Sequence, residues 1–283
     1  MKRTAGQRGL TLIEMLVVVG IIAMLVGLGA PAVKALLASF ESEDSVRAMV
    51  QTALSTARGM AMEQQRYAGV RFQKASCGEG DGLANPQYMT FIVHDNEATG
   101  LASGFRAVEG LKPIRLPDRF GVMDLVKVDR VVGGSNAISI QSESPVSKDA
   151  DIDTVAEVND VTTFSVVFSP AGHLVTHQVR IRNRDGKSSK ETPPSKDDIF
   201  NTEVQVFQKS MLDRRGMFLQ DDYVEWGLGP ESSRRSFVIY KTQDFSLAYR
   251  TSRPYTNYLK DLVPKVLYVT PLTGALTGGQ EGS

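Results

Sequence analysis

Cysteine is almost absent from this chain. Cys77 stands alone among 283 residues, so no intrachain disulfide can form and the fold must be held by its core. In an oxidising extracytoplasmic space Cys77 is a free thiol or an intermolecular contact, and a buried or loop thiol is the simpler reading. Histidine is scarce too, with only His94, His173 and His177. The spacing from His173 to His177 would suit a zinc pair on a helix, but the segment reads as a strand, where residues four apart lie roughly 13 Å from each other. No Gly-x-Ser-x-Gly elbow occurs, and Gly78-Glu79-Gly80-Asp81-Gly82 has neither phosphate-loop nor calcium-loop spacing. The expectation is therefore no catalytic set, no cofactor and no metal, and no enzymatic role. An excess of one charge is also missing, since 32 Lys and Arg face 32 Asp and Glu. Arg214-Arg215 and Arg234-Arg235 lie in a stretch, 201–283, with ten basic and nine acidic side chains. That is no basic stripe, and nucleic acid is not expected as a partner.

What the chain does have is one long run without charge. Between Glu14 and Lys34 lie 19 residues rich in Val, Leu, Ile and Met, the length of a membrane-spanning helix. Ahead of it sit Lys2, Arg3 and Arg8 with no acid, which places the leader in the cytoplasm and the rest of a single-pass chain outside. Glu14 is the anomaly. A carboxylate at the apolar end of a span costs a few kcal/mol and marks a functional position. A secretory signal peptide would share the basic start and the apolar run, with Ala30-Pro31-Ala32 as its cleavage site. A plain anchor needs only the run. Neither accounts for Gly9 before Leu10 with an acid four residues further on.

Gly9-Leu10-Thr11-Leu12-Ile13-Glu14, with the basic leader, the apolar run and Pro31, resembles the processing site of the type IV pilin and type II secretion pseudopilin family. The resemblance implies cleavage after Gly9 by a membrane-embedded prepilin peptidase and N-methylation of Leu10. Leu10 departs from the phenylalanine most common there. It also implies sister pilins, an inner-membrane assembly platform and membrane lipid as partners. The setting would be the bacterial inner membrane, with a periplasmic C-terminal domain and assembly into a pilus or pseudopilus. Glu14 would pair with the α-ammonium of Leu10 on a neighbouring subunit, so that assembly satisfies two groups that are each costly alone in apolar surroundings. Tip subunits of the family commonly lack this acid.

Beyond Lys34 the helix is expected to continue. Val46, Met49, Val50, Ala53, Leu54, Ala57, Met60 and Ala61 recur every three or four residues, with polar residues between them. From Leu10 to Gln65 such a helix would span about 80 Å, kinked at Pro31, where a backbone donor is missing. From Tyr67 the period changes to two. Strands are expected over 67–72, 88–93, 122–128, 164–168, 174–181, 203–207, 237–240 and 267–270. The fold class expected is α+β, a long N-terminal helix packed on a mostly antiparallel, pilin-like β domain. Its divisions are a leader at 1–9, a transmembrane half-helix at 10–36, an amphipathic half at 37–66 and a β-rich domain at 67–283. Loops or insertions are expected near 142–160 and 182–198. Removing the leader's three basic residues leaves 29 of 32 against 32 acids, a net of −3.

Three stretches also resemble the H-type minor pseudopilins (general secretion pathway protein H-like) and the fimbrial-T-like minor pilins. They are the helical 53–61, the strand and turn Phe164 to Gly172, and the last strand and turn Val266 to Gly274. The alternatives to a structural subunit are a DNA-uptake minor pilin, which would need a basic surface, and a membrane-anchored hydrolase, which would need a convergent polar triad.

Overall fold

The computed structural model describes residues 15, 18–19, 24, 42–75, 83, 85–134, 137–188, 195, 197–207 and 216–278. Gly9, Leu10, Glu14, Pro31, Cys77, 78–82 and Arg214-Arg215 lie outside them. The chain divides into two units, Met1–Ser45 and Val46–Ser283. In the first, Met15, Val18, Val19 and Met24 are helical and exposed. Among the described residues no helix is long and apolar enough to cross a membrane.

The amphipathic half of the expected helix is present as α1, Glu43–Gln64. Ser42 accepts the Ser45 N–H at 3.2 Å, and Glu43 and Asp44 stand in the first turn, where the helix dipole favours acids. Its end is set by Gln65, whose φ of 51° leaves the helical region. Val46, Val50, Ala53, Leu54, Ala57 and Ala61 are buried, with Met49 and Met60 packed at the margin. That stripe matches the expected face, and its alanines let the helix axis approach the strands closely.

The strands beneath are β1 (Ala68–Lys74), β2 (Gln87–His94), β3 (Gly104–Ala107), β4 (Ile114–Arg115), β8 (Phe164–Phe168), β9 (Leu174–Val175), β10 (Gln178–Ile181) and β13 (Glu231–Ser232). They form one sheet in the order β13-β10-β3-β2-β1-β8-β9, with β4 also pairing β2. All its pairings are antiparallel except β10 with β3. A second sheet has the order β16-β15-β14-β5, from β5 (Phe120–Met123), β14 (Ser236–Lys241), β15 (Leu267–Val269) and β16 (Leu276–Gly278). The main core lies between α1 and these strands. Phe72, Phe164 and Phe237 meet at its centre with ring centroids 4.7 to 6.0 Å apart. On the opposite face of the first sheet Ile92, Phe105, Val167, Val179 and Ile181 form another core, so β1, β2 and β8 are buried from both sides.

The structure differs from the sequence reading at several segments. The expected strand 203–207 is a short helix, in which the N–H groups of Gln205 and Val206 both reach Thr202 O at 3.0 Å. Gln205 and Val206 are buried there, while Val204 is exposed. The expected strand 122–128 is broken after Met123. Leu125 has φ 55°, and Asp124 turns inward to accept the Val126 N–H and to pair with Arg234. The strand over 174–181 is interrupted where the His177 N–H bonds Ser233 Oγ at 2.9 Å. The expected loop 142–160 holds the end of β7 (Ile138–Pro145), which pairs with β6 (Val126–Val132), and then helix α3 (Val155–Thr162). Thr154 and Glu157 form a capping box at the start of α3. In the expected insertion 182–198, Asn183 and Asp197 are buried, and Asp197 accepts the N–H groups of Arg184 and Ile199.

Gly69 is required by the pairing of β1 with β8. A Cβ there would collide with the carbonyl of Val166 on the neighbouring strand. Gly69→Ala should therefore destabilise the protein by about 1–3 kcal/mol through overpacking. Gly59, in the middle of α1, has nothing within 4 Å of its virtual Cβ. Gly59→Ala should stabilise by about 0.8–1 kcal/mol through helix propensity. Urea denaturation of the two variants beside wild type checks both signs; equal midpoints for the pair would contradict the strand approach.

Candidate functional site

The residues singled out for processing and assembly, Gly9, Leu10, Glu14 and Pro31, lie outside the described residues. The histidines fall into two settings. His173 lies in the turn that follows β8, its N–H directed to Ser169 Oγ at 3.3 Å. His177 lies between β9 and β10 and meets His94 at the end of β2, with ring centroids 5.5 Å apart. Tyr67 and Phe105 complete the group, the former 4.6 Å and the latter 5.5 Å from the His177 ring. Sheet order makes this meeting, because His94 pairs with Phe105 across β2 and β3, and β3 runs parallel to β10. Nothing in local spacing announces it. His94 Nε2 lies 2.9 Å from Ala102 O and His177 Nδ1 lies 2.6 Å from Gln178 O, so each ring directs one nitrogen to a backbone carbonyl. Among the described residues no three His, Cys, Asp or Glu side chains gather as a metal site.

The densest chemistry is a buried charge network that local patterns did not reveal. Arg71 points from β1 away from the main core. It donates to Asp221 at 2.5 Å, to Glu231 at 2.7 Å and to Gln73 at 3.3 Å. Asp221 also accepts the Ile181 N–H at 2.6 Å. Beside it, Asp222 pairs with Arg180 at 2.9 Å and Arg182 at 2.7 Å. A second group joins Arg234 to Asp124 at 2.5 Å and to Glu143 at 3.1 Å. Asp160 holds Arg130 at 2.6 Å and accepts the Val128 N–H at 2.8 Å. Arg71, Asp221 and Glu231 are each no more than 1% exposed, which bars a substrate from reaching them. The network is a structural clamp that fastens residues 220–234 to β1 and β10.

Burial raises the acids. It pushes the Asp124 carboxyl up to about 8 against the pull of Arg234, and Glu231 up to about 7 against Arg71 and Arg234. Asp221 and Asp160 are raised for the same reason, with Arg71 and Arg130 opposing. Burial works against charge on Arg234, but Asp124 and Glu231 outweigh it and hold the guanidinium above its ordinary value.

An acid whose folded pKa lies above its unfolded value keeps its proton longer in the native state. Its contribution to stability is complete below the unfolded pKa and is lost as pH rises through the folded one. Between pH 5 and pH 8 the free energy of unfolding should therefore fall, and the fall should be smaller in the Asp124→Asn, Glu231→Gln double variant. Arg71→Met should destabilise by about 3–5 kcal/mol at pH 8, where it strands buried carboxylates, and by less at pH 5, where those acids take up protons. Denaturant titrations across that range decide it; a pH-independent penalty for Arg71→Met would show that the acids stay charged.

Comparison with known proteins adds one finding at the N-terminus. Residues 4–30 match the prokaryotic N-terminal methylation motif. No curated protein and no solved structure gives a significant match to the chain. The matched residues include Gly9, Leu10 and Glu14, and a chain that carries this motif fits a membrane-anchored protein. The motif supports the type IV pilin and pseudopilin family, whose members are processed by prepilin peptidase and assemble with other pilins.

Proposed function

We propose that this chain is a minor pseudopilin or minor pilin. It would wait in the inner membrane as a single-pass protein with its C-terminal domain in the periplasm. There it is cut after Gly9, is methylated at Leu10, and joins a short helical filament through its N-terminal helix. The observation that carries this reading is the coincidence of the methylation motif at 4–30 with Gly9, Glu14 and the uncharged run to Lys34. The role is mechanical rather than enzymatic, in a type II secretion pseudopilus or a type IV pilus. Glu14 fixes the register between subunits by pairing with the Leu10 α-ammonium of its neighbour.

The H-type subgroup has additional support. Of the three stretches that resemble it, which lie far apart in the chain, the two turns both bond to α1, the helix that carries the third. Arg58 on α1 donates to Gly172 O, at the turn after β8, at 2.8 Å. Gln51 on the same helix donates to Gly274 O, at the turn after β15, at 3.1 Å. Both glycines have positive φ, 75° and 71°, so both turns use a backbone form that favours glycine.

Mass spectrometry of membrane protein made with its native peptidase should find a mature N-terminus at methylated Leu10. Cleavage after Ala32 would overturn the reading in favour of a secreted protein. Glu14→Val removes an expensive group from the membrane, so insertion and processing should persist. Assembly should fail, because breaking a buried pair costs about 3–5 kcal/mol. Pairwise cross-linking of cysteines engineered along residues 16–28 measures it. Normal cross-linking in the Val variant would remove Glu14 from subunit registration.

A further inference from the structure

His94 and His177 come from strands remote in sequence and meet at one end of the first sheet, with ring centroids 5.5 Å apart and ring planes at 63°. Both are half-buried, so a solute can reach them. Their backbones are fixed, since the His94 N–H donates to Tyr67 O at 2.8 Å and the His177 N–H to Ser233 Oγ at 2.9 Å. Each ring spends one nitrogen on a backbone carbonyl, His94 through Nε2 on Ala102 O at 2.9 Å and His177 through Nδ1 on Gln178 O at 2.6 Å. A carbonyl only accepts, so these two nitrogens carry the protons, and in the neutral rings His94 Nδ1 and His177 Nε2 are left as lone pairs. Among the described residues no hydrogen bond reaches either lone pair.

The spacing is that of a chelate. At a tetrahedral zinc-type centre the metal–nitrogen bond is about 2.1 Å, and with a ring centre ~1.2 Å behind each nitrogen two ligating imidazoles stand about 5 Å apart, centre to centre. The observed 5.5 Å fits. A ring nitrogen held by a carbonyl is also the usual support of a histidine ligand, because it fixes the tautomer and raises the basicity of the nitrogen that binds. Phe105, fully buried, packs on both rings, 5.2 Å from His94 and 5.5 Å from His177, and Tyr67 packs on His177 at 4.6 Å. An apolar wall of this kind keeps competing water from one side of a metal. Asp95, next to His94 in sequence, is taken up by Arg106 at 2.7 Å and by the Ala98 N–H. The pair therefore offers two nitrogen ligands and no carboxylate.

From this geometry we propose that His94 and His177 form a binding site for a divalent transition-metal ion of the class that favours imidazole, such as zinc or copper(II). His94 Nδ1 and His177 Nε2 bind the ion, and its remaining positions are left to water or to a ligand from outside the chain. With two protein ligands the site is open and exchangeable, unlike the closed four-ligand sites that hold a fold together. It is independent of the N-terminal processing region, so a failure here leaves the pilin reading untouched.

The test uses the full chain in detergent micelles, free of any histidine tag, with copper(II) as the probe because it binds such sites tightest of the divalent first-row ions. Calorimetric titration should show one copper ion per chain, and magnesium, which prefers oxygen ligands, should not bind. His94→Phe and His177→Phe keep the aromatic packing, and each should weaken copper at least about tenfold, since losing a ligand costs no less than losing its support. Cys77→Ser and His173→Gln should leave the affinity unchanged. Electron paramagnetic resonance of the wild-type copper complex should show coupling to two imidazoles, a signature that does not depend on any variant folding. No site filled at about 100 µM copper, equal binding of magnesium, or undiminished affinity in either phenylalanine variant would each overturn the proposal. Dependence on Cys77 or His173, or coupling to a single imidazole, would do so as well.

Discussion

The interaction on which the unit Val46–Ser283 turns is the fan of bonds from Arg71. Strand β1 is buried along its whole length, so the residues facing away from α1 cannot reach water. A guanidinium at that place would be prohibitive alone, and two carboxylates from residues 221 and 231 make it tolerable. Those carboxylates come from segments remote in sequence, so the cation dictates where the chain must return. Asp221 then captures the Ile181 N–H, which fixes β10, and Glu231, in β13, pairs with Val179 of β10. One buried charge thereby organises the far edge of the sheet. Such a network supplies specificity of arrangement more than net stability.

In the proposed filament and membrane the N-terminal segment would meet a different solvent. In hydrocarbon every backbone group must be satisfied internally, and a helix does this within its own sequence. Apolar side chains then give no preference for one helical neighbour over another, because lipid tails are equally apolar. A polar group is what can tell subunits apart, and Glu14 is the one acid placed to do so in the proposed filament. Arg71 and Glu14 would serve the same physical end in two media: a charge too costly to stand alone forces a defined partner.

Legibility from sequence followed burial. The face of α1 was readable because one side only is covered, so Val46 to Ala61 repeat with the helical period. Strands β2, β8 and β14 were readable from their β-branched and aromatic content. Where burial is two-sided the alternation vanishes, and polar residues inside it, such as Arg71 and Gln73, look like surface. The segment 203–207 misled because Val204 and Val206 alternate, yet Val204 is exposed and the turn begins at Thr202. Helix α3 could have been found from Thr154-x-x-Glu157, a capping box hidden among acids and serines. The meeting of His94 with His177 and of Tyr240 with Gly121 depends on strand order and register, which no local pattern encodes. Gly9, Leu10 and Glu14 fall within the methylation motif matched at residues 4–30, a linear pattern that can be read without the fold.

The end of the chain closes over its helix. Gln51 both donates to Gly274 O and accepts the Leu276 N–H at 2.5 Å, and Arg47 reaches Leu276 O at 3.2 Å. These bonds join residues more than two hundred positions apart and lie beside apolar contacts from Leu267, Val269 and Leu276 to the core under α1. In the proposed filament, a subunit held by its N-terminal helix would receive load at that helix. Load on α1 is then borne in parallel by the core face and by the C-terminal hairpin, so peeling the helix away must break both together. Helices whose polar flank faces water alone open at the cost of their packing only, and local opening is cheapest where such long-range ties are few. The contacts of Gln51 and Arg47 therefore place α1 with the stable part of the fold, which the proposed place in a filament would require.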